Sequence, residues 1–145
     1  MQPTDTQWIP WAIIIIGWFV INAQHNKREL RKELRSSLDD IRNRMIDLEN
    51  LAVLYHTDKN NHNLSTKIKV LIERIGYDIE TNQLLPSSVS NERIIHLRQA
   101  ITMKNFETKS YHEQSQHSDI VRHIHWHSSQ LIQSLEYHFR VKYPI

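Results

Sequence analysis

Residues Trp8 to Ile21 read WIPWAIIIIGWFVI, an apolar run without a break. This run constrains the fold more than any other feature, because water disfavours so much contiguous apolar surface. Between Asp5 and Lys27 there is no Asp, Glu, Lys or Arg, so the uncharged window Thr6–Asn26 is 21 residues long. At the rise of an α-helix that is roughly 30 Å, about one hydrocarbon core. The strictly apolar part is shorter, at 14 residues. Four consecutive isoleucines, Ile13 to Ile16, point in every direction around a helix and leave no polar face. Trp8, Trp11 and Trp18 suit the two interfacial belts of a bilayer. The expectation is a single transmembrane helix. Lys27, Arg28, Arg31, Lys32 and Arg35 follow it, and no Lys or Arg precedes it. Cationic flanks stay on the cytoplasmic side. The expected placement is therefore single-pass in the inner membrane, with the N-terminus outside and residues 27–145 in the cytoplasm.

The remainder is long enough for one small domain and a stalk. A formal net charge of +2 is too small to make duplex nucleic acid a default partner, and the chain has no cysteine for a disulfide scaffold or thiol chemistry. With only Gly17 and Gly76, neither a Walker A loop nor a dinucleotide fingerprint can be written. The compositional anomaly is histidine, ten in all, of which His112, His117, His123, His125, His127 and His138 fall near the C-terminus.

From Lys27 to His56 the pattern is helical. Leu34, Leu38, Ile41, Met45, Leu48, Ala52 and Tyr55 alternate at spacings of four and three, a heptad seam without Gly or Pro. Such a seam is either the core-facing stripe of a bundle helix or a parallel coiled coil. Its position directly after the apolar run favours the second, a self-associating stalk. Thr57–Asn63 reads as a polar loop. Ser65 or Thr66 caps a helix bearing Ile68, Leu71, Ile72 and Ile75, with Gly76 at its end. Ser90 caps another, bearing Ile94, Leu97, Ile101 and, if it extends that far, Phe106. Ser118 starts the last, with Ile120, Ile124, Leu131, Leu135 and Phe139 on one side. The tail Tyr137–Tyr143 alternates apolar and cationic residues, a period-two signal of a short C-terminal strand. The expected class is mainly α: a transmembrane segment over 1–26, a coiled-coil-like helix over 27–56 and a helical ligand-binding domain over 57–145.

The densest chemistry is Arg122-His123-Ile124-His125-Trp126-His127. On a helical wheel Trp126 points away from the apolar face. It is either an interface residue or a stacking surface for a base, with Arg122, His123 and His127 holding phosphate. Arg140 and Lys142 add a second cationic pair. His123 and His127, with Asp119, also have metal-ligand spacing, but further ligands would have to come from His112, Glu113 or His117. No metal, no cofactor and no catalytic set is assigned, since no serine elbow or paired-carboxylate arrangement is present.

Arg122 followed by His123 and His127 resembles the R-x4–6-H motif of HEPN-type ribonucleases. That resemblance implies a metal-independent RNase with His127 as acid/base group and Arg122 as phosphate stabiliser. The order of parts, from Trp8–Ile21 through Leu34–Tyr55 to Arg122–Lys142, is similar to that of membrane-anchored effectors of type III CRISPR systems. It implies a non-enzymatic, antiviral homo-oligomer that meets membrane lipid, binds a cyclic oligoadenylate second messenger and perturbs the bilayer. Its ligand-binding residues are expected among Arg122, His123, Trp126, His127, Arg140 and Lys142. The competing expectations are a membrane-tethered HEPN-like ribonuclease and a phage or plasmid membrane protein that recruits a partner through its coiled coil.

Overall fold

The computed structural model of the chain describes residues 8–61 and 63–144. The tail ahead of Trp8, with Asp5, lies outside the described residues, as do His62 of the polar loop and the side chain of Trp8, one of the expected belt residues. Among the described residues four α-helices make up the fold: α1 (Trp8–Thr57), α2 (Leu64–Thr81), α3 (Ser87–Thr102) and α4 (Asp119–Lys142). The chain divides into two compact units, Met1–Arg35 and Ser36–Ile145, and α1 contributes to both.

In the first unit α1 carries the apolar run. Among the described residues no helix is long and apolar enough to cross a membrane. The expected transmembrane anchor does not hold, and the single-pass, inner-membrane placement with a cytoplasmic domain loses its basis with it. The physical reason is length. Fourteen apolar residues make roughly 21 Å of helix, against about 30 Å of hydrocarbon. The uncharged window is completed by Asn22, Gln24, His25 and Asn26, whose polar groups are costly to transfer into lipid. Within the chain the run is uncovered: Trp11, Ile13 to Ile16 and Trp18 to Ile21 are each at least half exposed.

In the second unit the heptad row turns inward. Leu38, Ile41, Met45, Leu48, Ala52 and Tyr55 are at most 1% exposed within a single chain. The expected coiled-coil stalk is therefore corrected: these side chains form the unit's own core and are not left for another copy. That core also takes Ile68, Ile72, Ile75 and Ile79 of α2, Leu97 and Ile101 of α3, and Val121, Ile124, Leu131 and Leu135 of α4. Each such side chain contributes about 1.5–3 kcal/mol by leaving water. Helix α3 packs against both α2 and α4. Ion pairs tie α1 to its neighbours: Arg44 to Asp78 on α2, Arg42 to Glu136 on α4 and Glu49 to His125 on α4.

The helix ends follow local chemistry. The Ser118 hydroxyl accepts from the amide of Val121, as expected of a cap, and Asp119 stands in the first turn where the helix dipole favours an acid. Helix α3 begins at Ser87, ahead of the expected Ser90, because Pro86 occupies the N-cap and Ser90 is buried inside the first turns. Gly76 does not end α2; the helix runs on to Thr81, and a Cβ at Gly76 would meet Ile94 at an ordinary 3.8 Å. The true end uses Gln83 in a left-handed conformation (φ 49°), with the amides of Gln83 and Leu84 donating to the carbonyls of Glu80 and Ile79. That is a Schellman arrangement with glutamine in the usual glycine position. The expected C-terminal strand is absent: α4 continues through Lys142, with Phe139 buried and Tyr137 and Val141 exposed.

Residues 103–118 form a loop pinned to the end of α1. The Glu107 amide donates to the Tyr55 hydroxyl (2.9 Å), the Tyr111 hydroxyl to the Tyr55 carbonyl (2.8 Å) and the Gln114 amide to the His56 carbonyl (2.8 Å). Asn105 and His112 close the loop reciprocally, side chain to backbone. His56 is wholly buried, and its Nε2 lies 2.8 Å from the Ile101 carbonyl. That nitrogen must carry the proton, because a carbonyl can only accept.

Candidate functional site

Helix α4 faces α3 with His123 and His127, one turn apart, and α3 answers with His96. The His127 ring centroid lies 5.6 Å from that of His96 and 6.4 Å from that of His123. Together with Gln99, Ala100, Met103, Lys104 and Ile120 these three rings line a groove of about 260 Å³. Trp126 is 54% exposed and sets its indole edge-on to His127, with centroids 4.6 Å apart. No carboxylate lines the groove.

Electrostatics follow from that lining. Burial pushes the His127 imidazolium down first, and the positive fields of His96, His123 and Arg93 push it further in the same direction. The nearest acid, Asp119, is exposed and committed. Its carboxyl is held below the usual range chiefly by its hydrogen bond and ion pair with Arg122, with smaller contributions from His123 and Lys104. The groove is thus a concavity lined by cation-capable side chains and by no carboxylate. Anions gain there from fixed donors and from histidines that can take up a proton.

The six residues expected to bind ligand are not gathered in one place. His123 and His127 face the groove, and Trp126 stands beside it. Arg122 is directed to solvent, its side chain 70% exposed and paired with Asp119. The Arg122 and His127 side chains of one chain therefore lie on different sides of α4. Arg140 and Lys142 occupy the last turn of α4, roughly 25 Å along the helix from His123. Lys142 lines a separate cavity of about 580 Å³ with His138, Val141 and the α2–α3 turn. Their location at a helix C-terminus complements the helix dipole. Among the described residues no group of three or more His, Cys, Asp and Glu side chains could hold a metal ion. The His127 ring lies tilted by 55° against both His96 and His123.

Sequence reasoning missed His96, Lys104 and Arg93. Each lies on α3 or just beyond it, and no spacing within the sequence couples them to α4. Lys104 is aimed by a left-handed backbone (φ 66°) at the exit of α3, a conformation that a lysine does not advertise.

Set against known proteins, the chain matches no family model, no curated protein and no solved structure.

Proposed function

We propose that this chain is a binding module for an anionic nucleotide, acting without chemistry of its own, and that cyclic oligoadenylate is the ligand class. The observation that supports the reading is the groove between α3 and α4. His96, Lys104, His123 and His127 line it without a single carboxylate. A phosphate takes its donors from Lys104 and the imidazoles. Trp126, half exposed at the same site, offers an adenine a stacking face. The ligand class comes from the chain's resemblance in plan to type III CRISPR effectors, without the membrane-spanning part of that plan. A ring repeats the same anion at every step, and two copies of the chain would offer it two grooves.

Proton linkage gives the reading a signature. A bound phosphate offsets the cationic fields that depress His127, so binding takes up a proton. Affinity therefore rises as pH falls through the ordinary histidine value of 6.5. Calorimetry of the full chain with cyclic tri-, tetra- and hexa-adenylate, at pH 6 and pH 8, tests it. Saturable heat that is tighter at the lower pH and reduced about tenfold by Lys104→Ala and by His123→Ala is the expected result. Absence of heat with every ring size overturns it. Hydrolysis of RNA by the parent chain, lost in His127→Ala, would replace it with the ribonuclease reading.

A further inference from the structure

The outer face of α4 carries a second feature, of which the groove takes only Trp126. At 100° per residue, Trp126 and Tyr137 stand about three turns apart on nearly the same azimuth, and Arg122 and Arg140 about five turns apart on the same one. Ser129 and Gln133 fall between them. All six positions are exposed, and the two aromatic rings are 54% and 65% accessible. What lies on either side fixes this strip as the outermost line of the helix. On one flank His125 and Glu136 are engaged by Glu49 and Arg42 of α1, at 2.8 and 3.0 Å. On the other flank His127 packs on His96 of α3. Glu136 is the one acid of α4 beyond Asp119, and its side chain is only 14% exposed in that ion pair. The strip thus alternates cations, aromatic rings and uncharged hydrogen-bonding groups over roughly 27 Å, with one acid, the exposed Asp119 paired to Arg122, at its N-terminal end.

Two large aromatic side chains on the solvent side of a helix need an occupant, and charge selects it. Laid antiparallel on a second copy, the strip would set Arg122 against Arg140 at both ends. Laid parallel, it would set each arginine against itself. Either pairing of copies brings like charges together, with only the Asp119 carboxylate, already held by Arg122, to offset them. The same alternation suits a flexible polyanion whose bases are free to stack, with arginines on phosphates and the rings under bases. A duplex keeps its bases inside and cannot use the rings.

We propose that the Arg122–Trp126–Tyr137–Arg140 strip of α4 is a docking surface for single-stranded nucleic acid. It shares Trp126 with the α3–α4 groove, is otherwise separate from it and does not depend on the ligand assigned there. Binding joins π-stacking on Trp126 and Tyr137 to neutralisation of two phosphates. The Arg122–Asp119 pair is exposed on both sides and exchanges its carboxylate for phosphate at little cost.

The test is fluorescence anisotropy of a labelled oligouridylate of about 12 nucleotides, titrated with the full chain. Saturable binding is expected. Tyr137→Ala and Trp126→Ala should each weaken it about tenfold and Arg140→Ala about threefold. The logarithm of affinity should fall against the logarithm of salt concentration with a slope near −1.4, about −0.7 for each of two phosphates. A hairpin duplex of equal length should bind at least about tenfold more weakly, since its bases are not free to stack. Lys104→Ala, in the groove, should leave oligouridylate binding intact, and Tyr137→Ala should leave cyclic oligoadenylate binding intact, so failure of one reading is separable from failure of the other. Absence of binding at low salt overturns the proposal. So does binding that both aromatic variants leave unchanged. A fall in the sedimentation mass of the chain on Tyr137→Ala would identify the strip as a contact between copies and overturn it equally.

Discussion

Helix α1 contains two apolar stretches, and they obey opposite rules. From Trp11 to Ile21 the side chains are apolar at every azimuth and exposed at every azimuth. From Leu38 to Tyr55 the apolar row at four-and-three spacing is buried to within 1%, while Ile46 and Leu54, off that row, are exposed. The first stretch is the more hydrophobic and the less covered. A helix can present only one stripe to a bundle core, so an apolar stripe bounded by Arg, Asp and Glu has one way to pack. A helix that is greasy all round has no preferred side to present to a core. Periodicity, and not hydrophobicity, decided which half of α1 entered the fold.

The same insertion made in both halves is the strongest attempt to break this contrast. Met45→Asp places a carboxylate where exposure is 0% and should cost about 4 kcal/mol or more, enough to abolish cooperative melting of the second unit. Ile15→Asp, at a position 53% exposed, should change that transition by less than about 0.5 kcal/mol. Urea titrations of the two variants decide it, and comparable losses would mean that the apolar run is covered after all.

His56 sharpens the contrast from the polar side, being a fully buried imidazole at the end of the inward stripe. His56→Ala removes a packed ring and orphans the Ile101 carbonyl, for about 2–4 kcal/mol in a chemical melt. The parent should also be acid-sensitive through this residue. Burial lowers the His56 pKa, against a smaller opposing effect of the Ile101 carbonyl. The unfolded chain therefore takes up the proton first as pH falls below 6.5. The sign follows: stability is fully present above that value and declines beneath it. His127 is depressed in the same direction, so the slope measured by melts at pH 7.5 and 5.5 should shrink in His56→Phe and vanish further when His127→Gln is added.

Smaller effects probe the edges of the folded unit. Asp78→Asn breaks the part-buried pair with Arg44, and thermal unfolding should report a loss of about 1 kcal/mol. Gln83→Gly relieves the left-handed residue of the α2–α3 turn and should raise stability by about 0.5–1 kcal/mol. A destabilised glycine variant would show that the glutamine side chain, and not its backbone, holds the turn.

The helices were legible where several local signals agreed. Ser118 followed by an acid and then a 3.6-period apolar row gives the start of α4 to the residue. The tail misled because Tyr137, Phe139, Val141 and Tyr143 alternate over seven residues. The longer row Leu131, Leu135 and Phe139 extends the helical period through the same residues, and it wins because those three share one core. In the site, His123 and His127 were visible as an i, i+4 pair, whereas His96 and Lys104 were not. Their pairing with α4 is a product of helix packing between distant segments. Arg140 and Lys142 were grouped with Arg122 by charge alone, and the straightness of α4 separates them.

What the sequence determined by itself is a helical chain with an aperiodic apolar front, a periodic amphipathic middle and a histidine-rich end, because side-chain spacing and capping act within a few residues. Only the tertiary structure decided that the heptad row meets α2, α3 and α4 of its own chain, and that three histidines from two helices and a lysine just beyond α3 share one groove. Those outcomes depend on which segments pack side by side, and contacts between residues far apart in the chain leave no local pattern from which to read them.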